Sequence, residues 1–145
     1  MNTVSESLKP GDLIQDTYRI DRLLGEGGMG ATFAGRNIAS DHPVAIKVIS
    51  ASFADNKRAT DLFKREASLL RTIQHEAVVR YETTLQDRQG RLFLVMELLD
   101  GHSLAYFLGR GARLSPEDAL RLGRRLAAGL DAVAAVGAVH RDIAP

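Results

Sequence analysis

Apolar and polar positions alternate loosely from Tyr18 to Leu24, where Tyr18, Ile20 and Leu23 stand among Arg19, Asp21 and Arg22. A period of two predicts a strand. A glycine-rich stretch, Gly25–Gly30, comes next, and then Ala31–Gly35, whose Thr32 and Phe33 suit a second strand. Residues 37–43 read as a hairpin loop and the β-branched run Val44–Ile49 as a third strand. Beyond it the period lengthens. From Asp55 or Asp61, either able to cap a helix, through Ile73, the residues Phe63, Ala67 and Leu70 recur at i, i+4 and i+7. Leu62, Leu69 and Ile73 widen that stripe. Val78–Leu85 and Leu92–Leu98 predict two further strands around a polar turn containing Gly90. The first hundred residues thus predict five strands and one helix.

Past Gly101 the pattern is helical. Ser103–Leu108 forms a short amphipathic piece, closed by Gly109-Arg110-Gly111. Ser115-Pro116-Glu117-Asp118 opens a longer helix: serine as N-cap, proline at the first helical position, acids in the first turn. Its stripe is Leu122, Leu126, Leu130 and Val133, and it should end near Gly137. Residues 1–12 read as a flexible lead-in ending at a Pro10-Gly11 turn. The shift in character at 99–101 divides the chain into a lead-in (1–17), a strand-rich lobe (18–98) and the start of a helical lobe (99–145).

Composition narrows the classes of function. With 145 residues, 45% hydrophobic and 26% charged, the chain is an ordinary globular domain able to bury a core. A formal charge of +1 gives no electrostatic case for a nucleic-acid partner. The absence of cysteine excludes disulfides and Cys-based zinc sites and agrees with a cytoplasmic setting. No stretch is apolar for long enough to span a bilayer, so any membrane anchor would lie outside this chain.

Three constellations carry candidate chemistry. Gly25-Glu26-Gly27-Gly28-Met29-Gly30 fits G-x-G-x-x-G. Such glycines let the backbone approach phosphates with no Cβ in the way. An isolated match is more simply read as a tight turn between strands. A dinucleotide fold would open a helix at the last glycine, whereas here the following residues read as a strand. Second, Lys47 sits inside Val44-Ala45-Ile46-Lys47-Val48, where alternation puts Ala45 and Lys47 on one face and Val44, Ile46 and Val48 on the other. A lysine there must snorkel to solvent or meet an anion. Third, Glu66 lies on or beside the apolar stripe of the predicted helix, where it could pair with Lys47 or, more simply, with Lys64 or Arg65.

Together with His140-Arg141-Asp142, these motifs in this order resemble the protein kinase signature set. The glycine loop in particular resembles bacterial serine/threonine kinases of the eukaryotic type. The resemblance implies an α+β, protein-kinase-like fold with a five-stranded antiparallel N-lobe and one helix. The activity implied is phosphoryl transfer from ATP to a protein hydroxyl, with Mg²⁺ as cofactor and a protein as substrate. Residue by residue, it implies that Gly25 to Gly30 cover the ATP phosphates and that Lys47 contacts them, oriented by Glu66. Leu24, Thr32 and Ala45 would line the adenine slot. Met96 takes the gatekeeper position, and the backbone of Glu97 and Leu99 would read the adenine edge. Asp142 would be the catalytic base, with His140 a scaffold residue and Arg141 a ligand for a phosphorylated activation loop. His75 is expected to be structural.

Departures from the family pattern are Thr32, where valine is usual, and Ala144, where serine/threonine kinases usually carry lysine. The sequence stops at Pro145, before the asparagine and Asp-Phe-Gly aspartate that hold Mg²⁺ in the family. The expectation is therefore an N-terminal fragment with weak Mg-ATP binding and negligible phosphotransfer of its own. A scaffold module of kinase descent without catalysis is the alternative, as is a small-molecule kinase of related fold.

Overall fold

The structure is a computed structural model that describes residues 8–27, 30–49, 57–139 and 143–144. The elements run β1 (Leu13–Ile14), β2 (Tyr18–Gly27), β3 (Gly30–Asn37), β4 (Pro43–Ile49), α1 (Lys57–Leu70), β5 (Tyr81–Gln86), β6 (Leu92–Glu97), α2 (Leu104–Gly109) and α3 (Pro116–Ala135). The strands form one antiparallel sheet in the order β1-β2-β3-β4-β6-β5.

Alternation explains the two faces of this sheet. Tyr18, Ile20, Ala31, Phe33, Val44, Ile46, Val48, Phe93 and Val95 share one face and form a single buried cluster with Leu8 and Ile14. The opposite face holds Ala45, Lys47, Leu94 and Met96, cross-strand partners of one another. Helix α1 packs against β5, with Ala67 buried and Lys64 Nζ donating to Gln86 Oε1 at 2.9 Å.

The sheet has six strands where five were expected. The extra one is β1, two residues long, joined to β2 by a tight turn in which Gln15 and Asp16 take φ of 48° and 50°. That hand suits the right-handed twist of a strand pair. The reading of residues 1–12 as a flexible lead-in is corrected from Leu8 onward: Leu8 is buried, and the Gly11 amide donates to the Ile20 carbonyl at 2.8 Å. Val78 and Val79 also fall outside β5. The Val78 amide turns back to the His75 carbonyl at 3.0 Å, and His75 Nδ1 accepts from the Ala77 amide at 3.1 Å. His75 thus has the structural role expected of it.

A β-bulge between Ile20 and Arg22 lets Asp21 reach Arg36 Nε at 3.0 Å and Arg19 Nε at 3.4 Å. Partial burial alone would push the Asp21 carboxyl up, but the two guanidinium partners outweigh it and hold the group below its usual range.

The helical part is capped as its sequence dictates. Ser103 and Ser115 accept from the Tyr106 and Asp118 amides at 3.2 and 3.1 Å. Helix α3 touches the strand-rich lobe through Gly129, where an added Cβ would stand 3.2 Å from both Ala77 Cβ and its carbonyl oxygen. Arg125 reaches Glu76 at 3.9 Å beside it. Leu120, Leu122 and Leu126 are exposed, whereas Gly129 and Val133 are buried. Among the described residues no helix is long and apolar enough to cross a membrane.

Candidate functional site

Strand register decides which of the candidate residues meet. Gly25 pairs with Thr32, Thr32 with Lys47, Lys47 with Leu94 and Leu94 with Thr84, one straight row across five strands. Paired residues in such a row share a face, about 4.8 Å apart. The adjacent same-face row is Arg22, Ala34, Ala45, Met96 and Tyr81. Lys47 therefore stands next to two small side chains of its own face, Ala34 and Ala45, at the end of the sheet where the β2–β3 turn lies.

Lys47 is half-buried, and among the described residues it has no ion-pair partner. Thr32 and Met96 are half-buried as well, and Ala45 is buried. Burial raises the Tyr81 phenol above its ordinary value, so that group is a neutral wall at the end of its row.

The glycine segment closes the β2–β3 hairpin. Glu26 pairs with Ala31 and Gly27 with Gly30. Gly30 has φ of +130°, a conformation that excludes a side chain. Gly25 is different: its φ is ordinary, and an added Cβ would meet nothing within 4 Å. Among the described residues, neither a positive φ nor packing calls for glycine there. Gly35, in the same hairpin, is glycine for a packing reason, since its Cβ would stand 2.4 Å from the Arg19 carbonyl oxygen.

Leu24 is the extra residue at the bulge before Gly25 and is exposed. Glu97 ends β6, and its amide already donates to the Arg80 carbonyl at 2.9 Å. Only its carbonyl remains as a group that its backbone could offer a ligand. Leu99, two residues on, is 68% exposed, and Gly101 behind it takes φ of +139° at the passage into the helical part. Glu66 lies in α1, but its side chain falls outside the described ones. Gly28, Met29, His140, Arg141 and Asp142 lie outside the described residues.

Gly129 was not singled out in the sequence, although an isolated glycine inside a helical pattern often has a packing cause. It sets how closely α3 approaches the Ala77-Val78 turn, and thereby where the helical part sits below the sheet.

The protein kinase domain family matches residues 18–145. The chain belongs to that family. Among curated relatives, the serine/threonine-protein kinase pkn2 of Myxococcus xanthus is 38% identical over 139 residues, covering 95% of this chain and 16% of that protein. PknA of Corynebacterium glutamicum, also a serine/threonine-protein kinase, is 36% identical over 138 residues, covering 92% of this chain and 29% of its own length. The chain thus spans less than a third of either relative. The crystal structure of the Mycobacterium tuberculosis PknI kinase domain superposes with a TM-score of 0.85 at 24% identity, over 95% of this chain and 55% of that one. That likeness shows the fold. The kinase fold and the kinship with bacterial serine/threonine kinases, both expected from the motifs, therefore hold.

Proposed function

We propose that the chain is the nucleotide-binding half of an ATP-dependent protein serine/threonine kinase, with ATP held on the sheet face that carries Lys47. The observation that carries this reading is Gly25. It stands beside Thr32 in the row of Lys47, and among the described residues neither a positive φ nor a packing contact calls for glycine at that position. A phosphate lying close against the backbone does call for it.

In this reading the segment from Gly25 to Gly30 lies over the phosphates and the Lys47 ammonium pairs with their oxygens, held in place by Glu66. Leu24, Thr32 and Ala45 border the adenine, Met96 limits the slot behind it, and the Glu97 carbonyl and Leu99 amide read its edge. Asp142 accepts the proton of the substrate hydroxyl as that oxygen bonds to the γ-phosphorus and the bond to the β-phosphate bridging oxygen breaks, releasing ADP. Mg²⁺, when bound, neutralises charge on the transferring phosphoryl group. Among the described residues no cluster of three or more His, Asp or Glu could hold a metal ion, so Mg²⁺ is assigned no ligand among them.

The 145 residues alone are expected to bind Mg-ATP weakly and to transfer phosphate negligibly, and Lys47-dependent phosphorylation by the purified chain would contradict that. ATP should raise the melting temperature of the chain, and Lys47→Ala should abolish the rise. A flat response in the wild-type chain would favour a scaffold without a working nucleotide site.

A further inference from the structure

The two outermost strands of the sheet meet at one residue. Strands β1 and β5 stand at opposite ends of the strand order, yet Gln15, in the turn after β1, reaches the end of β5. Its Nε2 donates to the Gln86 carbonyl at 2.6 Å, across 71 residues of sequence. The sheet therefore twists and curls far enough for its two margins to touch. Beside that bond, Leu85 packs against the apolar cluster that contains Leu8 and Ile14. The φ values of 48° and 50° at Gln15 and Asp16 hold the turn in a tight hairpin form, so the Gln15 carboxamide is presented from a fixed backbone.

The side chain of Gln86 is committed in two further directions. Its Oε1 accepts from Lys64 Nζ of α1 at 2.9 Å, and its Nε2 donates to the Gly90 carbonyl in the β5–β6 turn at 3.2 Å. A carboxamide is planar and carries its donor and acceptor on one carbon, so a partner for Nε2 fixes where Oε1 points. Gln86 thus joins the first turn of the chain, the last strand of the sheet and α1. The other contacts of the helix show what this does. Ala67 of α1 is buried, and Lys64 precedes it by three residues on the same stripe. A methyl group in apolar contact sets a distance but tolerates rotation, because the hydrophobic effect has no direction. A hydrogen bond has one. The Lys64–Gln86 bond therefore fixes the rotation of α1 about its axis, and Glu66 stands on that helix.

We propose that Gln86 is a positioning residue for the nucleotide site. Held from one side by Gln15, it sets through Lys64 the rotation at which α1 presents position 66 to Lys47. The turn at Gln15, far in sequence from every motif of the site, then contributes to ATP binding without touching ATP. The consequence for ATP rests on the phosphotransfer reading, whereas the coupling of the Gln15 turn to α1 does not depend on it.

The amide resonances of the full 145-residue chain read that coupling without nucleotide. Gln15→Ala should shift the amides of Lys64 and Ala67, and the same substitution on a Gln86→Ala background should leave them unmoved. Titration with Mg-ATP reads the consequence. Gln15→Ala, Gln86→Ala and Lys64→Met should each raise the dissociation constant about fivefold, the value of one hydrogen bond. Gln15→Ala and Lys64→Met combined should raise it little further, as members of one network do. Gln86→Glu keeps an acceptor for Lys64 but has no donor for Gly90, so it should retain most of the affinity. All three side chains are exposed, so the variants should fold. Shifts from Gln15→Ala that never reach α1, or α1 shifts of equal size on both backgrounds, would overturn the proposal. So would a loss of about 25-fold in the combined variant, the product of independent effects, or Gln86→Glu as weak as Gln86→Ala. A wild-type chain that takes up no Mg-ATP would sink the phosphotransfer reading and the nucleotide half of the proposal with it, while the resonances still decide the coupling.

Discussion

Replacing Gly35 by alanine would put a Cβ 2.4 Å from the Arg19 carbonyl oxygen, 3.0 Å from Ile46 Cδ1 and 3.3 Å from the Arg19 carbonyl carbon. The nearest of these atoms is backbone in the neighbouring strand, so relief requires β2 and β3 to separate in mid-sheet. Overpacking of this kind costs about 1–3 kcal/mol. Alanine recovers about 0.5–1 kcal/mol of the backbone entropy that glycine loses in a strand. The expected net loss is about 1–2 kcal/mol, or a melting temperature lower by roughly 2–8 °C for a chain of this size. Gly25→Ala meets nothing within 4 Å and has no positive φ to violate. Its stability should stay the same or rise by up to about 1 kcal/mol. The ATP response should invert this ranking. At ten times the dissociation constant, ATP adds about 1.4 kcal/mol to the stability of a chain that binds it. Gly35→Ala should keep that increment and Gly25→Ala should lose most of it, as read by urea unfolding with and without Mg-ATP. If Gly25→Ala proves as destabilising as Gly35→Ala, or keeps the full increment, Gly25 is a packing glycine and the reasoning fails.

Other substitutions test the frame around the site. In α3, Gly129→Leu should cost about 1–3 kcal/mol by driving the helix off Ala77 and Val78, while Gly123→Ala, with open space around it, should add about 0.5–1 kcal/mol; urea midpoints distinguish the two. Ser115→Ala removes the hydroxyl that accepts from the Asp118 amide, and should lower stability by about 1 kcal/mol in the same assay. The Asp21 carboxyl titrates lower in the folded chain than in the unfolded one. Its ion pairs with Arg36 and Arg19 therefore stabilise above the unfolded pKa, and that contribution fades as pH falls through the folded one. Asp21→Asn should lower stability at neutral pH by about 1 kcal/mol or less and flatten the acid limb of the stability profile.

The strands of the sheet were legible wherever the side chains themselves carried the period. Val44, Ile46 and Val48 alternate with Ala45 and Lys47 because one face is core and the other is not, and the structure follows that division. The helix start at Ser115 was equally plain, since cap, proline and acids are local signals. Strand β1 was hidden because two residues make no period, and its turn uses Gln15 and Asp16 at positive φ without the glycine that usually announces it. Val78 and Val79 look like strand residues by propensity, but the chain uses their backbone for the His75 turn. Helix α3 shows a different limit. Leu122, Leu126 and Val133 belong to one periodic stripe, yet only Val133 is buried, because the contact is made at the small residue Gly129. The site was legible as a list of motifs, but the sequence could not say which glycine serves packing and which serves a ligand. Cross-strand register and the space around Gly25 and Gly35 make that distinction.

The claim that Lys47 lies against bound ATP phosphates can be tested at a single atom. An acyl-phosphate derivative of ATP transfers its acyl group to an amine beside the phosphates, and mass spectrometry then locates the label. The sequence has lysines at positions 9, 47, 57 and 64. The label should fall on Lys47 and be suppressed by free ATP, with the other three lysines labelled only at background. Labelling spread evenly over Lys9, Lys57 and Lys64, or labelling of Lys47 that excess ATP does not reduce, would contradict it.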